Sequence, residues 1–403
     1  KQHRADKPFF CYLATNCQHT PLEVRDEDLA LYADQDLSNA RFPQKIGHKL
    51  PAKTDTSRVA RIYGMITNID DNVGRLRKAL DAEGLTRNTI VIFMVDNGPA
   101  GPARYNAGMR GLKTEVREGG IHSPFFVRWP ARLKAGHSSD RIAAHIDVLP
   151  TVLEACGVAP PADLKLDGRS LLPLLEGEKA DWPDRTLFTQ SHRGNEPILY
   201  HNFAARTQKW KLLNNSGFGK EGYTGPYKFE LYDMASDPLE MDDVAADHPD
   251  IVADLRKEYE AWFRDVSSTR GYAPPRIPLG TPHEDPVMLT WQDWRQEDKG
   301  KGWERKSCGH WKVTVARPGT YQFRLRFRSP VFKDKRSDNA GTVELRIGDQ
   351  VSRKEKPAGT YRCQFDDIVL RRGDMRIEAI LRQGKTTISV YQIDVHRIGG
   401  GDG

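Results

Sequence analysis

The sequence predicts an α/β fold, followed by a small α+β part and an antiparallel β-sandwich. Three observations support this order. Two β-prone apolar runs flank a long amphipathic helix, short strands then precede a single helix, and the last part alternates strictly between apolar and polar residues. Such a change of period along one chain is typical of layers that pack separately.

The first part, residues 1–160, begins with runs that suit strands buried on both faces of a largely parallel sheet. The run from Phe9 to Ala14 is continuously apolar, and so is the run from Thr89 to Val95. Between them, apolar residues recur at spacings of three and four from Val59 to Leu80, and Gly84 follows. This pattern predicts a long helix that ends at the glycine.

A strand at Phe125 to Trp129 and a helix from about Asp147 to Cys156 continue the α/β alternation. Residues 161–275 change to short strands followed by one helix, which predicts a small α+β subdomain. We place its elements at Arg185–Gln190, Phe203–Arg206, Lys209–Leu213 and about Pro249–Val266. Residues 276–286 are proline-rich and read as a linker.

The last part, residues 287–403, alternates with a period of two and shows no helical pattern. One face carries Tyr321, Phe323, Leu325 and Phe327, and the other carries Gln322, Arg324, Arg326 and Arg328. Short alternating strands between glycine turns predict an antiparallel β-sandwich.

Charge is unevenly distributed along the 403 residues. The whole chain has a formal net charge of +6, but residues 301–403 hold 22 basic and 12 acidic residues. Such a basic module favours a polyanion such as nucleic acid, anionic lipid or a sulfated glycan, or is a solvated basic surface. No apolar run is long enough to cross a bilayer.

The five cysteines are too scattered for a disulfide framework or a zinc site. Cys308 and Cys363 lie in the same module, where a disulfide between them is one alternative and two free thiols are the other.

Chemistry-bearing residues follow the second apolar run, in the segment VIFMVDNGP. Asp96 and Asn97 come directly after the strand, at the edge where open α/β sheets bind ligands. A carboxylate beside an amide carbonyl offers two hard oxygens, which suit Ca²⁺ or Mg²⁺. The alternative is an Asx turn that closes the strand, because Asp-Asn-Gly is favourable turn chemistry.

Two further segments carry polar residues in loops. His19 lies in ATNCQHTPL, after the first apolar run, and is either a site residue or a structural turn residue. Arg110 and Lys113 lie in the glycine-rich segment NAGMRGLKTEVREGG, where cations either hold an oxyanion or form a solvated loop surface.

Together these segments resemble the type I, formylglycine-dependent sulfatases of the alkaline phosphatase superfamily. The resemblance runs from about Lys7 to Val266, through KPFFCYLATNCQHTPLEV, IYGMITNIDDNVGRL, TIVIFMVDNGP, NAGMRGLKTEVREGG, HIDVLPTVLEACGV, LDGRSLLPLL and ELYDMASDPLEMDDV. It implies the C-terminal part of an alkaline-phosphatase-like mixed sheet with helices on both faces. It also implies a sulfuric ester hydrolase that acts on an aryl or carbohydrate sulfate.

The resemblance also implies roles for the loop residues. Asp96 and Asn97 would be ligands of Ca²⁺, with Mg²⁺ as the other candidate metal. Lys113, and more weakly Arg110, would bind the sulfate oxygens. His19 would contact the sulfate and donate a proton to the departing oxygen. Two local departures concern this pocket: Thr114 stands where the family usually has glycine, and His122 where it often has arginine.

The family's nucleophile motif, C/S-x-P/A-x-R, does not occur in the 403 residues, nor does the Asp-Asp pair that completes the metal site. Asp70 and Asp71 lie in the predicted long helix, where a solvated face is the expected environment. The first residue is not methionine. We therefore expect the natural beginning, with the formylglycine, to lie upstream, and we expect the 403 residues alone to be inactive. The alternative is a natural relative that has lost the chemistry.

Two other functions stay open at this point. A phosphodiesterase or phosphonate hydrolase of the same superfamily would use two transition metals. A non-catalytic binding protein would use the basic sandwich, where Trp291, Trp294, Trp303 and Trp311 precede the arginine strand, to hold a sulfated glycan. Nucleic acid is disfavoured because no nucleic-acid motif accompanies the charge. Related sulfatases are commonly exported, so the resemblance implies a periplasmic or extracellular location.

Overall fold

The structure is a computed structural model of the chain. It describes residues 7–42, 47–177, 182–192, 194, 196–218, 222–269, 271–290, 292–295, 308–327 and 339–400. The chain divides into two compact units, the first formed by residues 1–191, 200–218 and 227–262, and the second by residues 192–199, 219–226 and 263–403. None of the described helices is long and apolar enough to cross a membrane.

The first unit contains most of the helices and two small sheets. Its helices are α1 (Asp26–Ala30), α2 (Thr56–Ala82), α3 (Glu118–Ile121), α4 (Val148–Ala155), α5 (Leu172–Leu175) and most of α6 (Pro249–Ser268). Its strands are β1 (Val91–Met94), β2 (Phe125–Arg128), β3 (Leu187–Gln190), β4 (Phe203–Arg206), β5 (Trp210–Asn214) and β6 (Glu230–Asp233). Strands β3 to β6 pair antiparallel in chain order, as successive hairpins do.

The long helix, α4 and the short strands confirm the sequence pattern. The Asp55 side chain accepts the amide of Arg58 and so caps α2, and Gly84 follows with a φ of +68° that glycine adopts without strain. Asp70 and Asp71 are exposed on α2, as expected.

Two predictions about the first sheet are wrong. The run from Phe9 to Ala14 forms no strand, and its large apolar side chains are exposed, with Phe10 82% accessible. Strand β1 pairs with β2 in antiparallel rather than parallel register. An apolar run becomes a buried strand only where a neighbouring strand satisfies its backbone and covers its faces, and no described strand does this for residues 9–14.

The second unit is a β-sandwich with one continuous core. Its strands are β7 (Ile277–Leu279), β8 (Val287–Thr290), β9 (His310–Val315), β10 (Gly319–Arg326), β11 (Gly341–Ile347), β12 (Gln350–Lys356), β13 (Arg362–Leu370), β14 (Gly373–Gln383), β15 (Thr386–Ser389) and β16 (Gln392–Gly399). One sheet has the order β13-β10-β16-β8, and the other has the order β12-β11-β14-β9-β7 with β15 beside β14. The alternating residues Tyr321, Phe323, Leu325 and Phe327 are buried in the core between them, as predicted.

Two expectations about this unit, the linker and the disulfide, are not met. The predicted linker contains β7, which pairs in parallel with β9 because its Ile277 and Leu279 join the core. Cys308 and Cys363 are not joined by a disulfide, so the disulfide alternative is wrong.

The tryptophan platform is also wrong for the described tryptophans. Trp294 and Trp311 pack against each other in the core, with 1% and 0% of their surface accessible, so neither ring is available to a ligand. Trp291, Trp303 and Arg328 lie outside the described residues.

Candidate functional site

The loop after β1 presents Asp96 and Asn97. The Asp96 side chain is exposed, and the Asn97 amide nitrogen donates to Asp96 Oδ1 at 2.9 Å. The next residue, Gly98, is buried, and its amide donates to the carbonyl of Gly120 at 2.8 Å. A Cβ atom on Gly98 would lie 2.0 Å from the Gly119 oxygen, so only glycine allows this approach.

Backbone hydrogen bonds bring the basic loop to the same place. The Lys113 amide donates to the carbonyl of Pro99 at 2.9 Å, and the Gly119 amide donates to the carbonyl of Arg110 at 2.7 Å. The segment carrying Arg110 and Lys113 is therefore held between the Asp96 loop and α3. Three main-chain contacts thus link the loops that carry four of the five predicted site residues.

Polar side chains also hold the loop that carries Arg110 and Lys113. Glu115 accepts the Leu112 amide through Oε1 at 3.1 Å and the Asn215 side-chain amide through Oε2 at 3.1 Å. Thr114 has a φ of +81°, in the region that glycine favours. Its carbonyl accepts from the buried side chain of Asn202 at 3.0 Å, which holds the conformation. The departure from glycine at Thr114 is therefore accommodated by a contact.

Buried charges anchor α3, which links the two loops. Lys211 is fully buried, and its Nζ lies 2.8 Å from Glu118 Oε1 and 2.7 Å from Glu240 Oε1. The backbone amide of Glu118 also donates to Glu240 Oε2 at 3.1 Å. Burial by itself raises the pKa of Glu118, but Lys211 and His122 outweigh this effect and lower the pKa to about 2.

His122, at the C-terminal end of α3, lies with its Nδ1 3.4 Å from Glu118 Oε2. The hydrogen bond to this carboxylate raises the pKa of His122, although burial and the nearby cations oppose the rise. His122, which stands where the family often has arginine, therefore also places a basic side chain beside Glu118.

Sequence reasoning missed His145, which contacts the strand end directly. Its Nε2 lies 2.9 Å from the carbonyl oxygen of Val95, the residue before Asp96, and Ser123 Oγ donates to the same oxygen at 2.8 Å. A carbonyl only accepts, so Nε2 carries the hydrogen and the neutral ring keeps Nδ1 as an acceptor. The motif HIDVLP contained this histidine, but its partner is 50 positions away and no periodicity indicates the contact.

His19 is exposed, and its Nδ1 lies 2.8 Å from the carbonyl oxygen of Thr20. Nearby contacts attach this segment to α2: Cys17 Sγ donates to the carbonyl of Met65 at 3.3 Å, and Arg58 lies 3.4 Å from Thr20 Oγ1. Among the described residues, no hydrogen bond or ion pair joins His19 to the Asp96 loop. Its place in the site stays a prediction.

The residues suit Ca²⁺ or Mg²⁺ in kind, because Asp96 and Asn97 supply a carboxylate and an amide oxygen. Calcium takes six to eight oxygen ligands in proteins. Within the described ranges no group of three or more His, Cys, Asp or Glu side chains could hold a metal ion. Asp96 and Asn97 alone would therefore supply only part of a coordination shell.

Two family models match the first two thirds of the chain. The model described as Sulfatase matches residues 1–158, and the one described as N-sulphoglucosamine sulphohydrolase, C-terminal, matches residues 113–265. Every residue of the candidate site lies inside these ranges.

Curated relatives match the same part of the chain. The uncharacterized sulfatase YdeN of Escherichia coli is 32% identical over 208 residues, which cover 49% of this chain and 34% of that protein. The N-acetylglucosamine-6-O-sulfatase of Bacteroides thetaiotaomicron is 29% identical over 229 residues, which cover 56% of this chain and 38% of that protein. The chain thus spans little more than a third of the length of these relatives.

A solved structure has a similar fold. It is described as Ps i-CgsB in complex with k-i-k-neocarrahexaose, and it superposes with a TM-score of 0.53 at 26% identity, over 67% of this chain and 53% of that one. This likeness confirms the predicted fold class.

Proposed function

Because the chain belongs to the sulfatase family over residues 1–265, we propose that the protein hydrolyses sulfate esters of carbohydrates. One observation carries the proposal: the Asp96–Asn97 loop and the Arg110–Lys113 loop are fastened together by main-chain hydrogen bonds. A sulfate ester is an anion whose leaving oxygen gains charge as its bond to sulfur breaks. The sulfate group itself is negatively charged, and cationic side chains beside metal-binding oxygens match its charge.

In this proposal Lys113 and Arg110 bind the non-bridging sulfate oxygens. Asp96 and Asn97 would hold Ca²⁺, which when bound adds positive charge beside the same oxygens. His145 and Ser123 keep the Val95 carbonyl in place, and so orient the strand end that presents Asp96. His19 donates a proton to the departing sugar oxygen. The nucleophile stays unassigned, because no residue of this sequence lies in the family's nucleophile motif.

The names of similar proteins support a carbohydrate substrate. One curated relative is named for a 6-O-sulfate on N-acetylglucosamine, and the superposed structure contains a neocarrahexaose. No described contact identifies the sugar. The proposed substrate class is therefore a sulfated carbohydrate.

The test measures sulfate release by the protein expressed from its complete coding sequence. Ion chromatography follows free sulfate from sulfated mono- and oligosaccharides and from 4-nitrophenyl sulfate, with 4-nitrophenyl phosphate and a phosphonate ester as matched substrates. We expect sulfate release with a kcat/KM well above that for both phosphorus esters. Faster hydrolysis of a phosphorus ester would favour the phosphoesterase alternative, and no turnover of any ester would refute the proposal.

A further inference from the structure

The sandwich has an outer sheet face that the proposed hydrolysis does not use. It belongs to the sheet β13-β10-β16-β8, whose inner face is in the core. On β10 the inward residues Phe323 and Leu325 are buried, while Arg324 is exposed and Arg326 is partly exposed. Both arginines therefore point away from the core, as alternation along a strand requires.

Strand register gathers three arginines on this face. Arg326 lies directly opposite Arg362 of β13, and Arg324, two residues along β10, lies opposite Gln364. Directly opposed residues have Cβ atoms about 5 Å apart, and two residues along a strand span about 7 Å. We call Arg324, Arg326 and Arg362 the arginine face.

The nearest carboxylates on this face accept hydrogen bonds from glutamine side chains. Asp366 accepts from the side-chain amides of Gln322 and Gln364 at 2.6 and 2.8 Å. Asp394 lies directly opposite Arg324 on β16 and accepts from Gln392 at 2.6 Å. Within the described part of the chain, neither Arg326 nor Arg362 lies within ion-pair distance of a carboxylate. Arg362 instead lies over the ring of Tyr361, with its guanidinium carbon 5.2 Å from the ring centre.

The other sheet of the same sandwich shows the contrasting arrangement. There the carboxylate of Glu344 lies 3.0 Å from Arg346, 3.1 Å from Arg353 and 3.7 Å from Arg382. These three arginines thus share a carboxylate partner within the chain. Two like charges placed directly opposite on a sheet destabilise it, and the pair Arg326 and Arg362 has no carboxylate within ion-pair distance among the described residues.

We propose that the arginine face binds sulfate groups of a sulfated polysaccharide, as a site separate from the candidate active site. Guanidinium groups present planar forks that match the oxygens of sulfate, and they are weakly hydrated compared with an ammonium group. The choice of a sulfated glycan over a nucleic acid rests on the proposed function: a sulfatase that holds the polymer through a second site on the same chain raises the effective concentration of its esters.

The test measures binding by the full chain and needs no catalysis. Affinity electrophoresis through dextran sulfate gives the dissociation constant, with unsulfated dextran as the neutral control and single-stranded DNA as competitor. The double variant Arg326→Gln/Arg362→Gln removes the opposed pair. The matched control, Arg353→Gln/Lys385→Gln, removes the same charge from an exposed position of β12 and from the exposed turn between β14 and β15.

We expect the parent to bind dextran sulfate and not dextran, and the double variant to bind roughly tenfold more weakly, with a shallower dependence on salt. The control variant should keep the parent affinity. Removing the opposed pair should also leave Tm unchanged or raise it, because the two like charges no longer face each other.

Three outcomes would overturn the inference: no binding by the parent, an equal loss in both variants, or competition by DNA as strong as that by dextran sulfate at equal charge. The last would assign the face to nucleic acid. Hydrolysis without binding refutes only this inference, and binding without hydrolysis refutes only the proposed function.

Discussion

The carbonyl oxygen of Val95 sets the direction in which β1 delivers Asp96. It accepts from His145 Nε2 and Ser123 Oγ, and the Val95 amide donates to Pro124 at 3.2 Å. A residue whose backbone N–H and C=O are held by three hydrogen bonds has little freedom, so the following carboxylate is preorganised. His145 therefore acts as a positioning residue.

Replacing His145 separates positioning from acid–base chemistry. The variant His145→Ala loses one hydrogen bond, worth about 1 kcal/mol, and we expect kcat/KM for a sulfate ester to fall several-fold to tenfold. The variant His145→Gln can place an amide N–H near the former Nε2, so it should recover most of the activity with an unchanged pH profile.

The control His137→Ala breaks a similar imidazole contact, 2.7 Å from the carbonyl of Leu174, and should leave kcat/KM unchanged. A loss in His145→Gln as large as that in the alanine variant would show that the ring itself is needed.

At the scale of elements, helix α3 is too short to be stable alone, since it has four residues. Its position depends on Lys211 of β5 and on Glu240, which are separated from Glu118 by 93 and 122 positions. Val116, just before the helix, is buried with Ala204, Leu213, Tyr232 and Met234. The site loops are therefore fastened to the sheet β3–β6.

This anchoring predicts a dependence of stability on pH. The pKa of Glu118 is about 2 in the folded protein against an ordinary value of 4.5. Its contribution is therefore complete above pH 4.5 and is lost as the pH falls towards 2. Glu118→Gln should lower the free energy of unfolding by roughly 3 kcal/mol at pH 7.

Urea unfolding followed by circular dichroism at pH 7, 4 and 2.5 measures the difference between Glu118→Gln and the parent. This difference in the free energy of unfolding should shrink as the pH falls, because Glu118 of the parent becomes protonated while the glutamine of the variant does not titrate. The control Asp71→Asn, on the exposed face of α2, should match the parent throughout. A constant difference at all three pH values would contradict the account of Glu118.

The elements also show what sequence could predict. Helix α2 and strand β10 were predictable because each repeats its apolar residues at its own period. The run from Phe9 to Ala14 was wrongly predicted to be a strand, because an apolar run does not indicate whether a neighbouring strand pairs with it. The contacts of Lys211 with Glu118 and Glu240 were not predictable, because they join residues far apart in sequence and follow no period.

At the scale of the whole molecule, the charge asymmetry and the change of period correctly indicated a separate basic sandwich. Within it, the opposed pair Arg326 and Arg362 could not be predicted, because register between β10 and β13 includes a bulge between Tyr321 and Phe323. For the candidate site, the family blocks predicted Asp96, Asn97, Arg110 and Lys113, and the structure adds how the loops that carry them are joined. Export to the periplasm or exterior stays a prediction.

The central claim is that the loops of Asp96 and Lys113 form a sulfatase active centre. The most direct measurement is kcat/KM for a sulfate ester with Lys113→Ala in the protein from its complete coding sequence, beside Lys78→Ala, which removes an exposed lysine of α2. If Lys113 neutralises charge that develops on the sulfate, its loss should lower kcat/KM by about a hundredfold to a thousandfold, while Lys78→Ala matches the parent. Equal activity in both variants, with both folded as the parent is, would contradict the account.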